Sequence, residues 1–167
     1  MFNPKIIVVH ASGTADDGAV SWLAIRHYQM SWRVDRVIVT EEEWCRRKAA
    51  KQGSFFETPW MDIGYHAGAE WIKAGDLMTV EVMMGRMWDI QGAHCLGHNH
   101  EALGFCFVGV YKVKSPHEQM LLAGAKVLRL WMKLFGIPKE KIFAHRQLEQ
   151  TDCPGVAFDI NHLLSMV

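Results

Sequence analysis

ALGFCFVGV, residues 102–110, is apolar on both of its alternations. A strand with one wet face alternates between apolar and polar residues, whereas one covered on both faces does not. The run therefore predicts the central strand of a sheet with a layer on each side. On its N-terminal side, GRMWDIQGAHCLGHNHE (85–101) is rich in Gly and His and has no period, which predicts a loop. On its C-terminal side lies the most clearly marked helix of the chain. Ser115 is the expected cap, Pro116 occupies the first turn and Glu118 completes the capping box. Lys126, Arg129 and Lys133 mark its wet face, and Gly136 with Pro138 ends it.

Further out, KIIVVH (5–10) predicts a buried strand that ends in His10. Thr14 and Asp17 form a possible capping box for a helix running to about Trp32, with Val20, Leu23, Ala24 and Tyr28 on its inner face. VDRVIVT (34–40) predicts a single strand, and Thr40 with Glu43 opens a charged helix that stops near Gly53. Tyr65 to Lys73 and Leu77 to Met84 predict a hairpin turning at Gly75. KIFAH (141–145) is a short strand delivering His145, and AFDINHLLSM (157–166) is a closing helix. Strands and helices interleave without repeat or linker. The expected fold is α/β, a single domain over residues 1–167 with a mixed central sheet flanked by helices.

Composition excludes several classes of function. Lys plus Arg and Asp plus Glu number 18 each, so no basic excess drives binding to a phosphate backbone, and nucleic acid is not expected as the main ligand. No apolar stretch approaches the roughly 20 residues that span a bilayer, so no membrane insertion is expected. Met1 to His10 has neither the basic segment nor the cleavage site of a secretory signal. Cytoplasmic synthesis is the expectation. Cys45, Cys95, Cys106 and Cys153 have no regular spacing and do not read as a disulfide framework, which leaves a thiol available to a metal.

AHRQLEQTDCPG (144–155) sets a histidine and a cysteine eight residues apart, with a Pro-Gly turn after the cysteine. Zinc accepts neutral imidazole and thiolate, and a catalytic site keeps three protein ligands and one open position. His145 and Cys153 supply two candidates. His10, at the end of a strand, leads for the third place, while His94, His98 and His100 form a denser cluster where composition alone would place the metal and which reads equally as a solvated surface.

VVHASGT (8–14), W-x-DIGYH (60–66), GR (85–86), GAHCLGHNHEALGFCFVG (92–109) and AHRQLEQTDCPG together resemble the zinc-dependent N-acetylmuramoyl-L-alanine amidases that share a fold with peptidoglycan recognition proteins, above all the small phage amidases. The likeness covers nearly all of the chain except about Val34 to Thr58, an insertion read as a surface helix rather than a groove wall. It implies one zinc ion per chain on His10, His145 and Cys153, catalytic hydroxyls on Tyr65 and Thr151, and substrate contacts from His66 and His94. It further implies hydrolysis of the amide between N-acetylmuramic acid and L-alanine in peptidoglycan, by a phage or prophage endolysin. Such a protein is expected to be a monomer that reaches the wall through a separate holin.

Departures from the pattern also count. Ala11 stands where a second histidine is common, Cys106 where some branches carry an acid, and Thr151 where the phage relatives carry lysine. Cys106 reads as a small core hydrophobe. Arg86 reads as a loop-holding residue, and Trp60, Trp71 and Trp88 as core before sugar contacts. Two other functions stay open at this point: a non-catalytic muropeptide-binding module or regulator, whose relatives lose the cysteine ligand, and a cytoplasmic amidase of recycled wall fragments.

Overall fold

The computed structural model describes residues 2–14 and 21–167, apart from the side chain of Ala74. In chain order the elements are β1 (Ile6–Ala11), α1 (Trp22–Gln29), β2 (Arg33–Val34), β3 (Val37–Ile38), α2 (Glu41–Ala49), β4 (Phe56–Glu57), β5 (Ala67–Ala74), β6 (Leu77–Met84), β7 (Ala102–Phe107), α3 (Glu118–Phe135), β8 (Ile142–Ala144) and α4 (Ile160–Ser165). Five strands form one sheet in the order β6-β5-β7-β1-β8. β5, β7, β1 and β8 run parallel, and β6 pairs antiparallel with β5 at the edge through the hairpin at Gly75. β7 is central and buried along its whole length, as its unbroken apolarity predicts.

The alternation of the two middle strands sorts their side chains between two layers. Ile7 and Val9 of β1 and Leu103, Phe105 and Phe107 of β7 meet Met120, Leu121, Ala125, Leu128 and Trp131 of α3. Each such large apolar side chain contributes about 2 kcal/mol when fully buried. Gly124 lets the helix close on the sheet, since a Cβ there would lie 2.4 Å from Cζ of Phe107. The other face receives His10 and Cys106, which are partners in register, and Trp22 and Ile25 of α1 pack beside Cys106, Val108 and Ile63. One face of the sheet is thus given to packing, and the end of the other to polar side chains.

Several expected elements differ in detail. The capping pair Thr14–Asp17 and the inner-face position Val20 fall on residues outside those described. α1 is capped by Ser21, whose side chain accepts from Ala24 N–H, and it buries Trp22 and Ile25 while Leu23 is exposed. α3 starts at Glu118, and His117 takes the capping place expected of Ser115 because its own backbone is still extended. VDRVIVT is a hairpin rather than a single strand: Val34 pairs with Val37, and Asp35 and Arg36 turn with φ of 49° and 69°. Two left-handed residues are what a tight hairpin turn requires. The Asp35 carboxylate holds the turn by accepting from the backbone N–H of Ser54 and Phe55 at 2.9 and 2.8 Å.

Within the insertion, β3, β2 and β4 make a separate small sheet. The Thr40 side chain caps α2 as expected by accepting from Glu43 N–H, and Trp44 is the helix's buried residue. Arg33, 1% exposed, fastens this unit with hydrogen bonds to both carboxylate oxygens of Glu57 (3.1 and 2.9 Å), with its guanidinium 4.5 Å from the Tyr28 ring centre.

Candidate metal centre

β1 and β8 lie side by side, with Val9 in register with Ala144. The residues that follow, His10 and His145, are therefore neighbours at the carboxyl ends of parallel strands, where open α/β sheets place their ligands. Their ring centroids are 4.5 Å apart. Cys153 is returned to them by a loop that Arg146 N–H closes on the Cys153 carbonyl at 2.8 Å, with Thr151 Oγ1 accepting from Cys153 N–H at 3.2 Å. Gly155 carries the turn beyond, at φ 119°, where any Cβ would lie 2.3 Å from the Tyr111 carbonyl oxygen. The Cys153 sulfur lies 3.8 Å from His10 Nδ1, and Ala11 N–H donates to it at 3.4 Å.

One ligand atom from each of His10, His145 and Cys153 lies within 4.8 Å of the others. Zinc bonds of 2.0–2.3 Å in a tetrahedron set ligand atoms roughly 3.5 Å apart, so the three need close by no more than about an ångström. The donor set suits zinc: two imidazoles, one thiol and no carboxylate. Burial holds His10 well below the ordinary histidine range, with His94 and His145 adding to the effect, so it is neutral and able to ligate. Burial raises the Cys153 thiol in the absence of a cation; coordination would reverse that and take its proton.

Tyr65 stands over this group, its ring 5.2 Å from that of His10. Burial, the sulfurs of Cys106 and Cys153, and a hydrogen bond to Cys106 raise its hydroxyl well above the ordinary tyrosine value. Thr151 is half-buried, and its oxygen already accepts from the cysteine's backbone. His66 is in a different position from the one expected. It is fully buried, Nδ1 accepts from Gly104 N–H at 2.9 Å and Nε2 donates to the Ile90 carbonyl at 3.0 Å, so neither nitrogen is left for a substrate. Burial lowers it to about 4. His94 also turns inward, with Nδ1 3.0 Å from His10 Nε2 and Nε2 3.2 Å from the Ala102 carbonyl. Both histidines expected to touch substrate are thus bonded within the protein.

Sequence reading passed over Glu149. Its carboxylate accepts from His145 Nε2 at 2.6 Å. The available signal was an acidic residue four positions after a candidate ligand histidine. Cys95, His145 and Glu149 form a second set of neighbouring donors among the described residues. The Cys95 thiol is pushed up to about 11 by burial and by Glu149. Arg86 donates to the carbonyls of Asp62, Ile63 and Gln91, which is the loop-holding role read for it. Cys106 is buried as expected, though its sulfur also meets the Tyr65 hydroxyl.

Two hollows flank the centre. One of about 130 Å³ is lined by Gly13, Gly109, Tyr111, Lys112 and Cys153, and a more open polar one of about 460 Å³ by Arg146, Glu149, Gln150, Thr151 and Asp152. Cys153 lines the first hollow and Thr151 the second.

Residues 2–156 match the N-acetylmuramoyl-L-alanine amidase family. The chain belongs to that family. This amidase-family chain is 38% identical over 104 residues to the human N-acetylmuramoyl-L-alanine amidase, a stretch covering 60% of the chain and 17% of the human protein. It is 33% identical over 100 residues to peptidoglycan-recognition protein LB of Drosophila melanogaster, covering 59% of the chain and 40% of the fly protein. The chain therefore spans less than half the length of these relatives. The solved structure of the N-acetylmuramoyl-L-alanine amidase LysC from Clostridium intestinale URNW matches 98% of this chain and 85% of that one with a TM-score of 0.65 at 19% identity. The shared fold is the one that the sequence motifs implied. Among the described residues of this family member, no helix is long and apolar enough to cross a membrane.

Proposed function

We propose that this chain is a zinc-dependent amidase that hydrolyses the bond between N-acetylmuramic acid and L-alanine in peptidoglycan, with one zinc ion held by His10, His145 and Cys153. The observation that carries the reading is the convergence of these three side chains, 143 residues apart at the extremes, at one sheet end. Zinc, when bound, supplies Lewis acidity and a coordinated water whose pKa falls to about 7. The protein's own residues do the rest. Tyr65 keeps its proton at working pH and so can donate to the negative charge that develops on the scissile carbonyl oxygen. Thr151 ties the cysteine's backbone in place and retains one hydroxyl proton to give. Of the two hollows beside Cys153 and Thr151, the larger, of about 460 Å³, is the room this reading assigns to substrate.

The likeness to the small phage amidases supports a finer reading, that of an endolysin made in the cytoplasm and passed to the wall by a separate holin. The intact cysteine ligand speaks against the non-catalytic, muropeptide-binding alternative. The deciding experiment is metal analysis joined to turnover. About one zinc per chain is expected, with release of L-alanine amino termini from peptidoglycan that a chelator abolishes and added zinc restores. Cys153→Ser should lose the metal more readily. A purified protein that retains no zinc when supplied with it, or that retains it and leaves both sacculi and soluble muropeptides intact, overturns the proposal. Faster turnover of soluble anhydro-muropeptides than of sacculi would replace the endolysin by a recycling amidase.

A further inference from the structure

The far sides of the two ligand histidines are held by partners that differ in chemistry but agree in effect. On β7, the Ala102 carbonyl lies 3.2 Å from His94 Nε2. A carbonyl only accepts, so the proton of neutral His94 sits on Nε2 and its Nδ1 carries a lone pair. That lone pair faces His10 Nε2 at 3.0 Å, which must then be the protonated nitrogen of His10. His10 Nδ1 is left bare, and it is the atom 3.8 Å from the Cys153 sulfur. Beside it, the Glu149 carboxylate accepts from His145 Nε2 at 2.6 Å, which leaves Nδ1 as the free nitrogen of the second ligand. His94 has little freedom to do otherwise. A Cβ at Gly104 or Gly92 would lie 2.5 or 2.6 Å from His94 Cδ2, so its ring is lodged between two glycines.

We infer that His94 and Glu149 are positioning residues that fix both histidines as Nε2–H tautomers and so present two Nδ1 lone pairs to the metal. This rests on the zinc reading above. His94 acts as a relay that transmits the acceptor character of a sheet carbonyl to a ligand across one imidazole, and Glu149 does the same for His145 directly, with the added negative charge that makes a ligand nitrogen more basic. Ala102 and Gly104 of the central strand thereby set the chemistry of a residue on the neighbouring strand.

The first test needs no substitution. Long-range proton–nitrogen correlation spectra of the metal-free, histidine-labelled protein should show Nε2–H tautomers at His10, His94 and His145. An Nδ1–H tautomer at His10 or His145 overturns the inference. The second test is zinc affinity, measured by competition with a chromophoric chelator. His94→Phe, which keeps a ring but removes the acceptor, and Glu149→Ala should each weaken zinc binding about 10- to 100-fold. Glu149→Gln keeps an acceptor for His145 and should recover part of the loss. A wild type that binds zinc with both variants matching it overturns this inference alone, whereas a wild type that binds none overturns the proposed function together with it.

Discussion

The ring of Tyr65 lies 5.2 Å from that of His10, centroid to centroid, at an angle of 50°. One residue comes from the loop before β5 and the other from the end of β1, so the phenol meets the centre without belonging to its ligand set. Tyr65→Phe should leave zinc content unchanged and lower kcat by about 10²- to 10³-fold, the cost of removing one such donor. Metal analysis and steady-state kinetics on the same sample check this. Loss of the metal, or full activity with the metal in place, would refute the assigned role.

Thr151 Oγ1 accepts from Cys153 N–H, so its removal frees the loop that carries the sulfur. Thr151→Val should destabilise by about 1 kcal/mol and reduce kcat/KM by about tenfold or more. Thr151→Ser, which keeps the oxygen, should recover most of both. Equal behaviour of the valine and serine variants would show that the hydroxyl does nothing there.

Acid should destabilise the metal-free protein before it touches most carboxylates. Burial holds His66 at about 4 and His94 at about 3, below the ordinary 6.5. Both are neutral in the folded chain and take a proton on unfolding once the pH is below 6.5. Their contribution to stability is whole above that pH and is lost as pH falls toward 4 and then 3, at up to about 1.4 kcal/mol per pH unit for each. Urea midpoints at pH 7, 6 and 5 should fall in that order; a midpoint that rises on acidification contradicts the burial of these rings.

Arg33 pairs with Glu57 from a nearly closed position, with side-chain exposures of 2% and 27%. Arg33→Met leaves the carboxylate without its partner, which for buried pairs costs about 3 kcal/mol. A fall in Tm of roughly 6–12 °C is expected for a chain of this length. Hydrogen exchange should rise first across residues 33–57. An unchanged Tm would mean that the insertion hangs on other contacts.

The sheet was legible because its strands are written in apolarity. β7 has no polar alternation, β1 is a short β-branched run, and KIFAH marks β8 just before a candidate ligand. That His10, His145 and Cys153 lie close together was legible because each lies within a motif of recognisable residue types. What stayed hidden depended on tertiary neighbours. The turn at Asp35 and Arg36 has no glycine, and only the distant Ser54 and Phe55 amides explain why an aspartate can hold it. Nothing local says that His66 and His94 face inward, because their partners are carbonyls and amides, which every residue carries. Glu149 reads as one more surface acid until the turn at His145 brings it back to the ring.

The register of β1 against β8 has a mechanical consequence. His10 belongs to β1 and Cys153 to the loop after β8, and a divalent ion gripping both would act as a removable staple between positions 143 residues apart. An ion taken up only by the folded form adds its binding free energy to stability, about 4 kcal/mol at a thousandfold excess over Kd. Loss of the ion would then slacken the carboxyl ends of β1 and β8 in a single event, which would tie the protein's working lifetime to the supply of metal around it.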